Sequence, residues 1–192
     1  MGLLREGINE IIATTRDNAA PMGVILRDNS YAMVAFHGSH TAENISRHGW
    51  VVANIVHDPV MYVRTAFSDL EPGYFCEEAA GGLAVQRLLN AEGWVAFQAD
   101  IARDTGESLV VALTPLREEV CSCTVNPVNR GFSSVIEATI HATRYIRRED
   151  SQLARLISHH ASIVRRCGGP QEREALALLE EILLRECGFR TA

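Results

Sequence analysis

Near its start the chain reads Ile8-Asn9-Glu10-Ile11-Ile12-Ala13-Thr14-Thr15-Arg16-Asp17-Asn18-Ala19-Ala20-Pro21-Met22-Gly23. β-Branched residues crowd its first half, which predicts a strand, and Asp17-Asn18 is a turn signal because both residues tolerate left-handed backbone. Residues 20–26 and 31–36 continue the pattern across a second turn, so we predict a three-stranded meander. Pro21 cannot donate a ladder hydrogen bond. Its strand is therefore expected at an edge or a bulge, where neighbouring backbone groups stay free for a ligand.

A second informative stretch is Gly38-Ser39-His40-Thr41-Ala42-Glu43-Asn44-Ile45, which predicts a loop entering a helix. Ser39 or Thr41 can cap this helix and Gly49 ends it. Hydroxyls, an imidazole and free backbone N–H groups at a helix start suit an anion such as phosphate. Asn129-Arg130-Gly131, ahead of another helix start, suits phosphate as well. Either signal alone is weak, since most helix caps bind nothing.

Between these stretches the pattern alternates between strands and short helices. Residues 50–56 predict a buried strand, and Asp58-Pro59 begins a helix. Residues 69–81 are expected to form a loop and residues 83–90 a short helix. The alternating residues 94–103 predict a strand that forms a hairpin with residues 108–120, which read as one long strand or a strand pair.

The last third of the chain is predominantly helical in pattern. Residues 134–137 fit a capping box that opens a helix ending near residue 148, with a strand as the alternative. Residues 153–164 and 176–183 repeat apolar side chains at helical spacing. Gly168-Gly169-Pro170 separates them, so we predict a C-terminal αα-hairpin.

Composition excludes several classes of function. The chain has 192 residues, 47% hydrophobic and 22% charged, which is ordinary for a folded domain. All 18 basic residues are arginine, so chemistry based on a P-loop or Schiff-base lysine is excluded. A net charge of −6 disfavours nucleic acid as a partner. With no membrane-length apolar run, no apparent signal peptide and no CxxC among five cysteines, we expect a cytoplasmic protein with reduced thiols and no membrane partner.

Candidate chemistry in the side chains is sparse. The pairs His37/His40, His159/His160 and Cys121/Cys123 do not match a structural zinc spacing, so ordinary polar roles are favoured and no metal site is predicted. No GxSxG elbow is present. One helix face carries a polar stripe that is equally well read as a functional surface or a solvated one. This stripe consists of Glu137, His141, Arg144 and Arg148.

Taken together, these motifs resemble the FMN-binding split barrels of the flavin-reductase-like superfamily. Residues 8–15 and 18–23 resemble its opening hairpin. Residues 38–45, followed by Trp50-Val51-Val52-Ala53-Asn54, resemble its second signature, in which a Thr and an Asn open a helix ahead of a strand. Asn129-Arg130-Gly131 and residues 136–144 are similar to one branch, a largely archaeal family of flavoproteins of unassigned function. The order and spacing of the motifs, over nearly the whole chain, make the resemblance fairly specific.

The resemblance implies an α+β fold, a Greek-key FMN-binding split β-barrel with peripheral helices and a C-terminal αα-hairpin. It implies a split-barrel FMN-binding domain in residues 1–130 and a C-terminal helical extension packed on the barrel in residues 131–192. It further implies a homodimer with one FMN in each of two sites at the dimer interface.

The resemblance also implies which residues hold FMN. The hairpin backbone would face the isoalloxazine ring, the helix-start segment would hold the ribityl phosphate, and Asn54 is a candidate contact to the ring or ribityl chain. Many relatives have a basic residue in the phosphate loop where this chain has His40. Arg130 is the candidate for the missing fixed charge, and Arg130→Ala is expected to weaken FMN binding strongly. The predicted cofactor-binding set is Thr14, Asn18, Ala19, Ala20, Pro21, Met22, Gly23, Ser39, His40, Thr41, Asn44, Asn54 and Arg130.

The function expected from the resemblance is an FMN-dependent, flavin-reductase-like oxidoreductase with a nicotinamide or deazaflavin as its small-molecule electron donor. No side chain is assigned as catalytic, because the flavin itself carries the hydride chemistry. A non-catalytic flavin carrier or redox-sensing protein is the alternative. A third possibility is that the chain has the fold but no flavin site, and acts as an interaction protein through its C-terminal helices. Whether Cys76 or His141 approaches the flavin ring is left open.

Overall fold

The computed structural model describes residues 2–191, which form eight strands and five helices. The strands are β1 (Gly7–Thr15), β2 (Asn18–Arg27), β3 (Ser30–Phe36), β4 (Trp50–Ile55), β5 (Phe75–Ala80), β6 (Leu83–Leu88), β7 (Gly93–Asp104) and β8 (Ser108–Val120). The helices are α1 (His40–His48), α2 (Pro59–Phe67), α3 (Arg130–Arg148), α4 (Ser151–Cys167) and α5 (Pro170–Cys187). None of the helices in the described residues is both long and apolar enough to cross a membrane.

By the contacts within the chain, the described residues divide into two compact units. The first comprises residues 2–56 and 69–124 and contains all the strands together with α1. The second comprises residues 57–68 and 125–191 and contains the other helices. The predicted domain boundary at residue 130 stays a prediction; in this contact-based division, α2 groups with the C-terminal helices.

The first unit is built on a closed antiparallel barrel with the strand order β1-β2-β3-β8-β7-β4. The barrel closes where Ile12–Thr14 of β1 pair with Asn54–Val52 of β4. Because successive strand residues point to opposite faces, alternate apolar side chains fill the interior. The central ones are Ile11, Val24, Met33, Val51 and Phe97, each at most 1% exposed. The predicted α+β barrel fold is confirmed, as are the meander of β1 to β3 and the hairpin of β7 and β8.

The segment between α2 and β7 differs from the prediction. The loop expected over residues 69–81 is present only as far as Tyr74, and the helix expected over residues 83–90 is wrong, because β5 and β6 form a hairpin over residues 75–88. Gly81 and Gly82, with φ of +56° and +84°, make its turn, a conformation that favours glycine. Val85 packs with Trp50 and Trp94 in a buried cluster on the barrel. Pairing and burial therefore override the helical preference of this Leu- and Ala-containing segment.

The second unit is a helical bundle whose core includes Val63 of α2, Val135 of α3, Ile157 of α4 and Leu179 of α5. The predicted αα-hairpin is confirmed as α4 and α5. The strand alternative for residues 134–148 is wrong, and so is the capping box, because α3 begins four residues earlier at Arg130 with Asn129 as its N-cap.

Candidate functional site

The first half of strand β2 has backbone groups that are unpaired on one side. Residues 18–23 of β2 pair with residues 10–15 of β1 on one side. On the other side β3 begins to pair only at Val24, so no strand in the described residues covers the outer edge of residues 18–23. Pro21 lies in the middle of this edge, opposite Ile12, as the edge prediction required. Unpaired N–H and C=O groups are therefore available to a ligand along this edge.

A buried polar cluster lies where the β1–β2 turn meets the start of α1. The Asn18 amide nitrogen donates to Thr15 Oγ1 at 3.2 Å and to Thr41 Oγ1 at 3.1 Å. Asn44 donates to the same Thr15 oxygen at 3.1 Å and to the Arg16 carbonyl at 2.8 Å. Thr15, Asn18 and Thr41 are all buried. The cluster thus fixes the predicted hairpin and the predicted phosphate segment against each other.

The amino end of α1 has the geometry expected of an anion-binding helix start. Ser39 is the N-cap, and its hydroxyl oxygen accepts a hydrogen bond from Ala42 N at 3.2 Å. The next N–H groups of a helix have no intrahelical partner, and the helix dipole makes this end positive. His40 is largely exposed, with its Nδ1 3.4 Å from Asp69 Oδ1. The predicted residues Ser39, His40 and Thr41 therefore share one helix start with Asn44 one turn further on.

A cavity of about 330 Å³ lies beside the same helix. It is lined by His37, Gly38, Ala42, Glu43, Ser46, Arg47 and Leu109. No member of the predicted cofactor-binding set lines it, although Gly38, Ala42 and Glu43 belong to the helix-start stretch singled out from sequence. Arg47, in the last turn of α1, brings a positive charge to this cavity, and sequence reasoning missed it because its helix position gave no hint of a concave surface.

Two predicted residues lie deeper than the rest. Thr14 and Asn54 are fully buried. The Asn54 amide nitrogen donates to the Ile12 carbonyl at 2.8 Å and to Thr14 Oγ1 at 3.0 Å, while its oxygen accepts from Leu88 N at 2.8 Å. These bonds satisfy the amide within the protein, and they tie β4 to β1 and β6.

The Asn129-Arg130-Gly131 motif belongs to the second unit. Asn129 accepts from Gly131 N at 2.8 Å and donates to Glu172 Oε1 at 3.2 Å. A Cβ on Gly131 would lie 2.5 Å from the Cα of Gly168. Glycine is therefore needed for a close approach of backbones, a reason that sequence reasoning missed. Arg130 is exposed at the first position of α3, and its contact with a phosphate stays a prediction.

Three of the side chains singled out from sequence, Cys76, His141 and His160, have perturbed pKa values. Burial raises the pKa of the Cys76 thiol, a shift that the neighbouring Arg87 partly offsets, so the thiol form is favoured. Burial lowers the pKa of His141. Of the predicted polar stripe, Glu137 and His141 lie together, with Nε2 and Oε2 3.9 Å apart.

The fold and this edge together define the class of small antiparallel barrels that present free strand backbone beside a helix start. A model described as the N-terminal domain of a protein of unknown function (DUF447) matches residues 9–122. A second model, described as protein of unknown function (DUF447), matches residues 129–181. The chain belongs to the DUF447 family.

Several known proteins are similar to this chain. The crystal structure of FMN-bound MM1853 from Methanosarcina mazei, of the same family, is 39% identical, with a TM-score of 0.87 over 92% of this chain and 95% of that one. Flavin reductase HpaC, solved with NADP+, is 11% identical, with a TM-score of 0.49 over 65% of this chain and 86% of that one. The uncharacterised protein MJ1453 of Methanocaldococcus jannaschii is 38% identical over 71 residues, which span 35% of this chain and 36% of that relative.

Proposed function

We propose that this protein is a flavoprotein that binds FMN along the open edge of β2 and at the start of α1. The observation that carries the proposal is the unpaired backbone of residues 18–23. The hydrogen-bonded cluster of Thr15, Asn18, Thr41 and Asn44 holds this backbone beside a helix start. A flavin ring offers carbonyl and ring-nitrogen groups that can pair with strand backbone, and a phosphate suits a helix start. The FMN-bound relative, 39% identical over 92% of this chain, supports the same ligand.

The residues present would divide the ligand between them. The backbone of Asn18, Ala19, Ala20, Pro21, Met22 and Gly23 would hold the ring, and Ser39, His40 and Thr41 would hold the phosphate. Asn44 would keep the two parts in register through Thr15 and Arg16. Thr14 and Asn54 would support the site indirectly by fixing the strands, because their side chains are fully buried. Bound FMN would supply electron transfer at its ring system.

The proposal includes a homodimer. Val34 and Phe36 stand two residues apart on β3, so they share one face, and they are 38% and 59% exposed. Val110 of β8, the pairing partner of Val34, extends this apolar surface. Exposed apolar side chains grouped on one barrel face fit a second copy of the chain. A cytoplasmic location fits the five free cysteines.

An anaerobic reduction experiment separates an oxidoreductase from a flavin carrier. The FMN-loaded protein is mixed with NADH, NADPH or a reduced deazaflavin, and bleaching of the oxidised flavin spectrum is followed over time. We expect one of these donors to reduce the bound flavin much faster than it reduces free FMN at the same concentration. Retention of FMN without accelerated reduction by any of the three would instead support the carrier function.

A further inference from the structure

A cluster of two histidines and one glutamate belongs to the second unit, whereas the residues proposed to bind FMN belong to the first. Glu137 and His141 lie one turn apart on α3, and His160 comes from α4. One ligand atom from each of these side chains lies within 4.8 Å of the other two. Glu137 Oε2 and His141 Nε2 are 3.9 Å apart, and the rings of His141 and His160 have their centroids 5.7 Å apart. The packing of α3 on α4 brings the three groups together.

The surroundings of the two imidazoles favour a ligating role. The side chain of His141 is only 14% exposed, and its Nδ1 is buried with no hydrogen-bond partner in the described part of the chain. The Nδ1 of His160 lies 3.5 Å from Ser134 Oγ, a contact of the kind that orients a ligating imidazole from the second nitrogen.

The geometry points to a divalent transition-metal site, and we propose that Glu137, His141 and His160 bind Zn²⁺ with a fourth position left for water. Two imidazoles and a carboxylate form a donor set typical of such sites. Zinc–ligand bonds of about 2.0 to 2.1 Å place tetrahedral ligands about 3.4 Å apart, so binding needs the ligand atoms to approach by up to about 1.4 Å. Glu137, with 54% of its side chain exposed, has room to do so.

Some charges around the cluster favour a bound cation and others oppose it. Glu137 supplies the negative charge that compensates a cation, and His159, the exposed neighbour on α4, lies with its ring 5.3 Å from that of His160. Arg144 acts on His141 as a positive charge and opposes the cation. Because Arg144 is exposed, solvent screens its charge.

Zinc titration of the full chain tests this site. The protein is treated with chelator, and Zn²⁺ binding is measured by competition with a chromophoric chelator, with Mg²⁺ as the control ion. We expect one Zn²⁺ per chain, and at least about a tenfold loss of affinity in Glu137→Gln and in His160→Gln. His159→Gln is the matched control and should bind as the wild type does. Added Zn²⁺ should raise the melting temperature of the wild type but not of the two variants.

A cysteine variant and a Co²⁺ spectrum test whether thiolates bind the metal instead. Cys121→Ser/Cys123→Ser should leave the Zn²⁺ affinity unchanged, because these exposed thiols are the competing soft ligands. Bound Co²⁺ should show a visible spectrum without a thiolate charge-transfer band. The proposal is overturned by an absence of Zn²⁺ binding, by equal binding in Glu137→Gln, or by a loss of binding in the cysteine variant.

Discussion

At the scale of single residues, Asn54 shows how one buried amide holds three strands in place. It is fully buried, and its hydrogen bonds reach Ile12 of β1 and Leu88 of β6 from its own position on β4. The resemblance to FMN-binding split barrels implied that it contacts the ring or the ribityl chain of the flavin. Its structural role could not be predicted, because β6 was expected to be a helix and the partner Leu88 N–H was therefore unknown.

Asn54→Ala is expected to lower the free energy of unfolding by about 2 to 3 kcal/mol. The substitution removes the acceptor of the buried Leu88 N–H, which costs about 1 to 3 kcal/mol, together with the hydrogen bonds that the amide nitrogen donates. Urea unfolding measures the change. Asn90→Ala, at an exposed turn position, is the control and should stay within about 0.5 kcal/mol of the wild type. Equal stability of both variants would contradict the structural role of Asn54.

At the scale of elements, the start of α1 and the edge of β2 form the candidate site. Sequence predicted both correctly, since the Ser39 cap, the Gly49 stop and the Pro21 edge are local signals that depend on few distant contacts. The cavity beside α1 was not predicted, because a concave surface depends on how Leu109 of β8 meets the helix.

Ser39→Ala should weaken FMN binding and leave riboflavin binding unchanged. Loss of the cap costs about 1 kcal/mol, so an effect of up to about fivefold in affinity is expected. The affinity for FMN should fall and the affinity for riboflavin should not, because riboflavin lacks the phosphate. Fluorescence titration with both ligands measures it. Asp150→Ala removes the equivalent cap of α4 and should change neither affinity. An equal loss for FMN and riboflavin would show that the phosphate lies elsewhere.

Gly131→Ala should destabilise the protein by about 1 to 3 kcal/mol through overpacking. The added methyl group would collide with backbone of Gly168, at 2.5 Å from its Cα and 2.8 Å from its N. Thermal unfolding is the appropriate measurement. Gly73→Ala is a fair comparison, since no atom lies within 4 Å of a Cβ there, and it should be neutral or slightly stabilising. A neutral Gly131→Ala would mean that α3 and α4 approach less closely.

At the scale of the whole molecule, sequence predicted the barrel and the αα-hairpin but not the β5–β6 hairpin. The barrel strands carry clear alternation and turn signals, and the C-terminal helices carry regular apolar spacing. Residues 75–88 show neither clear alternation nor regular helical spacing. They form strands because of their burial beside Trp50 and Trp94. Sequence reasoning also did not group His160 with Glu137 and His141. The sequence of neither helix alone predicts how α3 packs on α4.

The proposed homodimer leads to a further prediction. Light scattering during gel filtration should give twice the mass of 21.1 kDa for the wild type. Phe36→Glu places a charge on the apolar face of β3 and should shift the protein toward the monomer and weaken FMN binding with it. Leu184→Glu, at an exposed apolar position of α5, should leave the mass unchanged. A wild-type protein that runs as a monomer would contradict the dimer.

The central claim is that this chain binds FMN, and retention of added FMN tests it most directly. The purified protein is incubated with excess FMN and passed through a desalting column, and the visible absorption spectrum of the protein fraction is recorded. The proposed site predicts oxidised-flavin bands that co-elute at one FMN per chain. A folded protein that elutes colourless, with no rise in melting temperature when FMN is added, would contradict the claim.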